Sequence, residues 1–200
     1  MRTIVATGAL SILLLACVQQ AVARPLAMQV PRQRTVFLFT TRASAQARLD
    51  RPARPRNELA ALESSVVARI NSQRGARGLR PLRVSRGLTA AAAYHSREMG
   101  LNGFFEHESA NGAPFWKRIE RFYPAGRGSW AVGENIFYET PDTTARSTVH
   151  EWMTSPPHRE NILSPEWREI GIGAAHFASA RGTYGGGSVT IVTADFGARG

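Results

Sequence analysis

One cysteine, Cys17, serves a chain of 200 residues, and it lies in an N-terminal segment with the features of an export signal. Arg2 supplies a positive start, Ile4 to Ala16 is apolar apart from small residues, and Ala21-Val22-Ala23 forms an A-x-A cleavage signal before Arg24. Residues 1–23 are therefore expected to be a removed signal peptide. The apolar stretch is too short for a membrane span, and no later stretch is long and apolar enough to be one. Cleavage after Ala23 leaves no cysteine at all. That excludes a disulfide framework, thiol catalysis and cysteine-based zinc sites from the remainder. The rest of the chain must fold by burying apolar surface alone, and a hydrophobic fraction of 43% is enough for a core.

A rival processing signal overlaps the first. Leu14-Leu15-Ala16-Cys17 looks like a bacterial lipobox, which would anchor the protein through a lipidated Cys17. The expected location is secreted or periplasmic, with lipid anchoring through Cys17 as the alternative.

The net charge of +10 invites a nucleic-acid reading, but its distribution argues otherwise. Residues 24–56 carry eight arginines against Asp50, whereas residues 57–200 carry sixteen Lys and Arg against fourteen acids. The basic character thus sits mainly in a segment that also holds Pro25, Pro31, Pro52 and Pro55. Residues 24–56 are read as an Arg/Pro-rich, mostly disordered linker, able to contact an anionic surface. No nucleic-acid-binding module is recognisable in the remainder.

From residue 57 the pattern is that of a folded domain, expected over 57–198. Asn57 is placed to cap a helix on which Leu59, Leu62, Val66 and Ile70 share one face. Arg74, Arg77, Arg80, Arg83 and Arg86 follow at intervals of three, and Gly75, Gly78 and Pro81 make that run a solvated loop rather than a helix; an anion-binding stripe is the sharper reading. Leu88, Ala91, Ala92, His95 and Met99 mark a second helix, and Pro114 with Phe115, Ile119 and Phe122 a short third. Gly133 to Phe137 reads as a loop entering a strand. Pro141 to Thr143 open a fourth helix carrying Val149, Trp152 and Met153, which Ser155-Pro156-Pro157 stops. Ile170, Ile172 and Ala174, then Val189, Ile191 and Thr193, alternate on either side of a glycine-rich turn, the signature of a hairpin. Helices followed by paired strands give an α+β class.

Several segments, in order, resemble the CAP superfamily, also called the SCP domain, in its bacterial form. They are Ile70-Asn71-Ser72-Gln73-Arg74 with Gly78-Leu79-Arg80-Pro81-Leu82; Ala91-Ala92-Ala93-Tyr94-His95-Ser96; Phe104-Phe105-Glu106-His107; Gly133-Glu134-Asn135-Ile136; Trp152 to Leu163, containing Ser155-Pro156-Pro157-His158-Arg159-Glu160-Asn161; and Glu169 to Gly173 with Asp195-Phe196-Gly197. The resemblance implies a three-layer α-β-α sandwich with a central antiparallel sheet. It also implies a binding groove, with His107 and His158 at the two histidine places and Glu134 at the glutamate place. Some members bind zinc or another divalent metal there, others bind sterols, fatty acids or other lipids, and no shared reaction is established. This chain lacks the cysteines of the eukaryotic members. Ser155 also stands where those members often carry a second groove glutamate, three residues after the tryptophan of the fourth helix.

Two histidines and a carboxylate are ligand types that zinc accepts, so His107 and His158 are the candidate metal ligands. Glu134 is a ligand, a general base or a hydrogen-bond acceptor that fixes the groove. No H-E-x-x-H and no G-x-S-x-G motif occurs. His95 lies on an apolar stripe and is expected in the core; His150 and His176 lack a supporting pattern. Arg159 is expected to pair with a carboxylate and Asn161 to cap a short turn; the tryptophans are expected in the core, with Trp130, beside Gly128 and Ser129 in a loop, the one best placed to be a ligand platform. The leading expectation is an exported binding module whose groove holds a divalent metal, a small lipid or a cell-envelope component, without established catalysis. The rivals are a metal-dependent hydrolase or peptidase using Glu134, and a purely structural or interaction protein.

Overall fold

A computed structural model of the chain describes residues 54–200; the expected signal peptide and all but the last three residues of the expected linker lie outside them. The first helix, α1, runs Arg56–Gly75 and buries Leu62, Val66 and Ile70 at four-residue intervals. Its N-cap is Pro55 rather than Asn57, and no side chain caps it. The same row continues into Arg74, which is a helical residue and not part of a solvated loop. Arg74 is 1% exposed. Its Nε donates to the carbonyl of Arg80 at 3.0 Å, and its Nη1 donates to the carbonyls of Ile162 and Ser164 at 2.8 Å each. The stem fills a core position and the fork satisfies three carbonyls.

A two-residue strand, β1 (Arg83–Val84), precedes α2 (Arg86–Asn102), which ends on Gly103 in the left-handed region, at φ 77°. Pro114 precedes α3 (Phe115–Phe122) as expected. Strand β2 (Trp130–Glu139) places Gly133 to Phe137 in the middle of a strand, not in a loop leading to one. The fourth helix, α4 (Ala145–Thr154), begins at Thr144, whose hydroxyl accepts from the Ser147 N–H at 3.1 Å. Pro156 does stop α4. It also opens a further helix, α5 (Pro156–Leu163), where a short turn was expected. Proline has no N–H to lose at the first position of a helix, so the same residue ends one helix and starts the next. Strands β3 (Glu169–Phe177) and β4 (Val189–Arg199) form the expected hairpin around a short 3-10 turn.

The sheet order is β1-β3-β4-β2. Strands β3, β4 and β2 pair antiparallel, and β1 adds a short parallel edge to β3. β2 therefore lies at the opposite edge. On one face Ile170, Ile172, Val192, Ala194 and Phe196 meet Leu62, Val66 and Ile70 of α1, Val149 and Trp152 of α4 and Ile162 of α5. The other face is covered by α2 and α3, through Leu88, Ala91, Met99 and Ile119. The result is a helix–sheet–helix sandwich of the α+β class.

The α2 side of the sheet explains two glycines. Gly171 and Gly173 project toward α2, and a Cβ on either would run into helix backbone, at Leu88 and Thr89 or at Ala92 and Ala93. Their bare surface lets the helix lie directly on the strand, locked by Ser96, whose hydroxyl donates to the Gly173 carbonyl at 2.9 Å. Substitution Gly173→Ala should cost about 1–3 kcal/mol by forcing α2 away from the sheet. Gly75→Ala, at a helix position with open space, should be neutral or slightly stabilising. Urea denaturation of both variants checks this; equal midpoints for the two would refute the packing argument.

Candidate functional site

Strand β2 is the edge strand, and its neighbours Glu134 and Asn135 point to opposite faces. Each holds one of the expected histidines. Glu134 faces the α2–α3 layer, where its Oε1 accepts from His107 Nδ1 at 2.9 Å. Asn135 faces the other layer, where its Nδ2 donates to the main-chain carbonyl of His158 at 3.0 Å. The two histidines therefore flank the same strand, one from the loop after α2 and the other from α5. His107 thus contacts Glu134 directly, while His158 is tied to the same strand through its main-chain carbonyl.

Glu134 is not a free carboxylate. Its Oε2 takes a short charge-assisted hydrogen bond from Nη2 of Arg118, a residue of α3. Both side chains are 1% exposed. Nη1 of Arg118 donates to the His107 carbonyl at 3.1 Å and to Ser109 Oγ at 3.0 Å, so one guanidinium fixes both the carboxylate and the loop that carries His107. Burial alone would raise the Glu134 pKa. The hydrogen bond from His107 and the charges of Arg118, His95 and His107 outweigh it and hold the carboxyl below its ordinary range.

Two further groups complete a buried polar cluster. His95 is fully buried, as expected of a core residue, with Nε2–H donating to the Glu106 carbonyl at 2.9 Å and lying 3.9 Å from Glu134 Oε1. Burial lowers its pKa against the pull of Glu134, favouring the neutral ring. Asp195 sits directly across the β2–β4 ladder from Glu134. It is fully buried and neither oxygen has a hydrogen-bond partner. Burial first, and the neighbouring Glu134 charge second, push its carboxyl well above the usual range, which favours the protonated acid.

On the other side, His158 Nδ1 lies 2.8 Å from Ser155 Oγ. Ser155 thus gives the His158 ring a neutral partner. Burial, then the charge of His107, lowers the His158 pKa and favours its neutral form. Asn161 is a helical residue rather than a cap. Its Nδ2 donates to the Glu134 carbonyl at 3.1 Å and to Asn135 Oδ1 at 3.0 Å, tying α5 to β2. Trp130 begins β2, half-buried, with Nε1 donating to the Tyr123 carbonyl at 2.9 Å. Arg159 makes no ion pair among the described residues.

The donor set bears on the metal expectation. Nδ1 of His107 is committed to Glu134, and Nδ1 of His158 to Ser155. In each ring Nε2 remains for a ligand, with Nδ1 oriented by a neighbour, as in many metal-ligating histidines. Glu134 itself is spent on Arg118 and His107. Among the described residues no group of three or more His, Cys, Asp and Glu side chains is placed to hold an ion. With both Glu134 oxygens engaged, the residues do not fit a two-histidine, one-carboxylate zinc site.

Arg118 and Asp195 are not singled out as site residues by the sequence. Arg118 carries a signal: Phe115, Arg118, Ile119 and Phe122 form one i, i+3, i+4, i+7 row, so the arginine occupies a core position. Asp195 likewise interrupts a buried strand.

Arg118→Met should destabilise the protein by roughly 3–5 kcal/mol, because it strands a buried charge, and Arg118→Met/Glu134→Leu should recover much of that loss. Asp195→Asn tests the protonated acid. From about pH 4 upward the folded protein keeps a proton that the unfolded chain releases, so wild-type stability falls as pH rises, by up to about 1.4 kcal/mol per pH unit. The asparagine variant lacks this slope. Its stability relative to wild type should grow between pH 4 and 7 in chemical denaturation; a constant difference would show that Asp195 ionises normally.

Comparison with known proteins places this geometry. The family model described as cysteine-rich secretory protein family matches residues 67–196, a stretch that contains no cysteine. The uncharacterized protein YkwD of Bacillus subtilis is 33% identical over 118 residues, covering 58% of this chain and 44% of that protein. The uncharacterized membrane protein YlbC of the same organism is 28% identical over 111 residues, covering 56% and 31%. The chain thus spans less than half the length of these curated relatives. An extracellular SCP-domain protein from Bacillus anthracis has a similar fold, with a TM-score of 0.55 at 21% identity, covering 75% of this chain and 45% of that one. An outer surface protein from Borrelia burgdorferi gives 0.54 at 18%, covering 68% and 90%. With most of its described residues matched by the family model and its α-β-α sandwich shared with SCP-domain structures, the chain belongs to the cysteine-rich secretory protein (CAP) family.

Proposed function

We propose that this protein is an exported binding module in which the region flanking edge strand β2 serves as the groove implied by the family resemblance and presents Nε2 of His107 and of His158 to a small ligand. The observation that carries this reading is the state of Glu134. A general base needs a free oxygen and a pKa near the working pH. Glu134 has both oxygens engaged, is buried, and is held below the ordinary carboxylate range. That arrangement suits an orienting group and weakens the metal-dependent hydrolase reading. His107 is 37% exposed and His158 partly exposed, so both rings are accessible. A divalent ion, a small lipid and an envelope component are the ligand classes considered. Export rests on the N-terminal segment, and the extracellular and outer-surface proteins of similar fold support it. No helix among the described residues is long and apolar enough to cross a membrane.

Zinc titration calorimetry on the full chain, beside His107→Ala/His158→Ala, separates the ligand classes. One-to-one binding that the double variant loses places an ion on the two histidines. If wild type takes up no zinc, an apolar or envelope ligand remains, and mass spectrometry of material copurifying with wild type but not with the variant identifies it. Metal-dependent turnover of a peptide or ester, abolished in the same variant, would overturn the binding reading in favour of hydrolysis.

A further inference from the structure

The arginines of the folded part are not spread evenly. A cleft of about 380 Å³ opens between α1 and α4, away from Glu134 and the two groove histidines. Arg69 and, eight residues on, Arg77 line it from α1 and the turn that follows; Arg146 and, four residues on, His150 line it from α4; Arg159 closes it from α5. The four-residue spacing puts Arg146 and His150 on one face of α4, and the turn after α1 brings Arg77 to the same cleft as Arg69. Val149 and Met153 form an apolar floor. No acidic residue lines the cleft. Among the described residues, Arg69, Arg146 and Arg159 make neither a hydrogen bond nor an ion pair through their side chains. Arg77 uses one guanidinium nitrogen, Nη1, on Gln73, which leaves the rest of its fork available.

Residues 57–200 are close to neutral, with fourteen acids available for pairing. Four arginines around one cavity without an acid cost stability through mutual repulsion. Elsewhere in the same fold Arg54, Arg118 and Arg199 each have a carboxylate within 4.0 Å. The cleft therefore holds four arginines, none of which has a carboxylate within 4.0 Å among the described residues.

We infer that this α1–α4 cleft is a binding site for a phosphate-bearing anion. The planar guanidinium fork matches phosphate oxygens in a two-bond geometry, and a phosphate monoester carries close to two negative charges, so one such group and its neighbours balance what a single carboxylate could not. The volume exceeds that of one phosphate and suits a phosphorylated headgroup. A second cavity of about 550 Å³ adjoins, sharing Met153 and Arg159 and lined also by Pro156, Leu163 and Pro165, with Glu160 as its acid. That neighbour can take an apolar part attached to the phosphate. The site is separate from the histidine groove and independent of what that groove binds.

The test uses the full chain, with pyrophosphate as the soluble probe and vesicles of phosphatidic acid in phosphatidylcholine as the membrane probe. The cleft variant is Arg69→Gln/Arg146→Gln. The control, Arg80→Gln/Arg127→Gln, removes the same charge from exposed positions outside the cleft. All the substituted residues are exposed, and unchanged thermal melting of the ligand-free variants verifies folding. The expected result is pyrophosphate binding weakened about tenfold or more in the cleft variant and little changed in the control. Cleft-dependent capture by phosphatidic acid vesicles, without pyrophosphate binding, supports the same site with a lipid headgroup as the source. Equal losses in the cleft and control variants, or no cleft-dependent binding of either probe, overturns the proposal.

Discussion

The buried pair between Arg118 and Glu134 is the interaction on which the groove depends. It joins α3 to the edge strand β2, and through the second guanidinium nitrogen it fixes the loop that carries His107. Two charges taken out of water are costly, and their attraction repays the cost only when the remaining polar atoms are also satisfied. Here His107 supplies the second partner of Glu134, and Ser109 and the His107 carbonyl take Nη1 of Arg118, while its buried Nε has no partner, so part of the cost stays uncompensated. Such a pair offers little net stability, but it is demanding about geometry. Its contribution lies in holding one arrangement of loop, helix and strand.

Around that pair the protein manages charge by protonation state. Arg118 balances Glu134, and the adjacent Asp195 is pushed toward the neutral acid by burial first and by the neighbouring Glu134 charge second. His95, buried beside them, is pushed toward the neutral ring. Ser155 continues this economy on the other side of β2. It orients His158 without adding a second carboxylate to a region that already holds two.

Much of the fold was readable before any tertiary information. The Leu62-Val66-Ile70 row, the proline before α3 and the alternation at Ile170–Ala174 and Val189–Thr193 are local patterns, and local patterns survive into the structure when packing agrees with them. The misreadings also have local causes. Gly133 to Phe137 looked like a strand entrance because Gly133, Glu134 and Asn135 are poor strand formers, yet pairing with β4 on one side overrides propensity. Pro156 was read only as a stop, although the same chemistry lets it start a helix. Arg74 was assigned to solvent because arginine usually belongs there; three main-chain carbonyls made the exception.

The family and the α+β class were determined by the sequence, because ordered motifs and hydrophobic periods are properties of the chain itself; His107, Glu134 and His158 entered as site candidates only through the family resemblance those motifs carry. Only the tertiary structure decided that Glu134 would be spent on Arg118, that Gly171 and Gly173 would lie bare beneath α2, and that Arg69, Arg77, Arg146 and Arg159 would converge on one cleft. These facts depend on which side chains from distant parts of the chain meet. Such meetings are set by how helices pack on a sheet, which spacing along one segment does not specify.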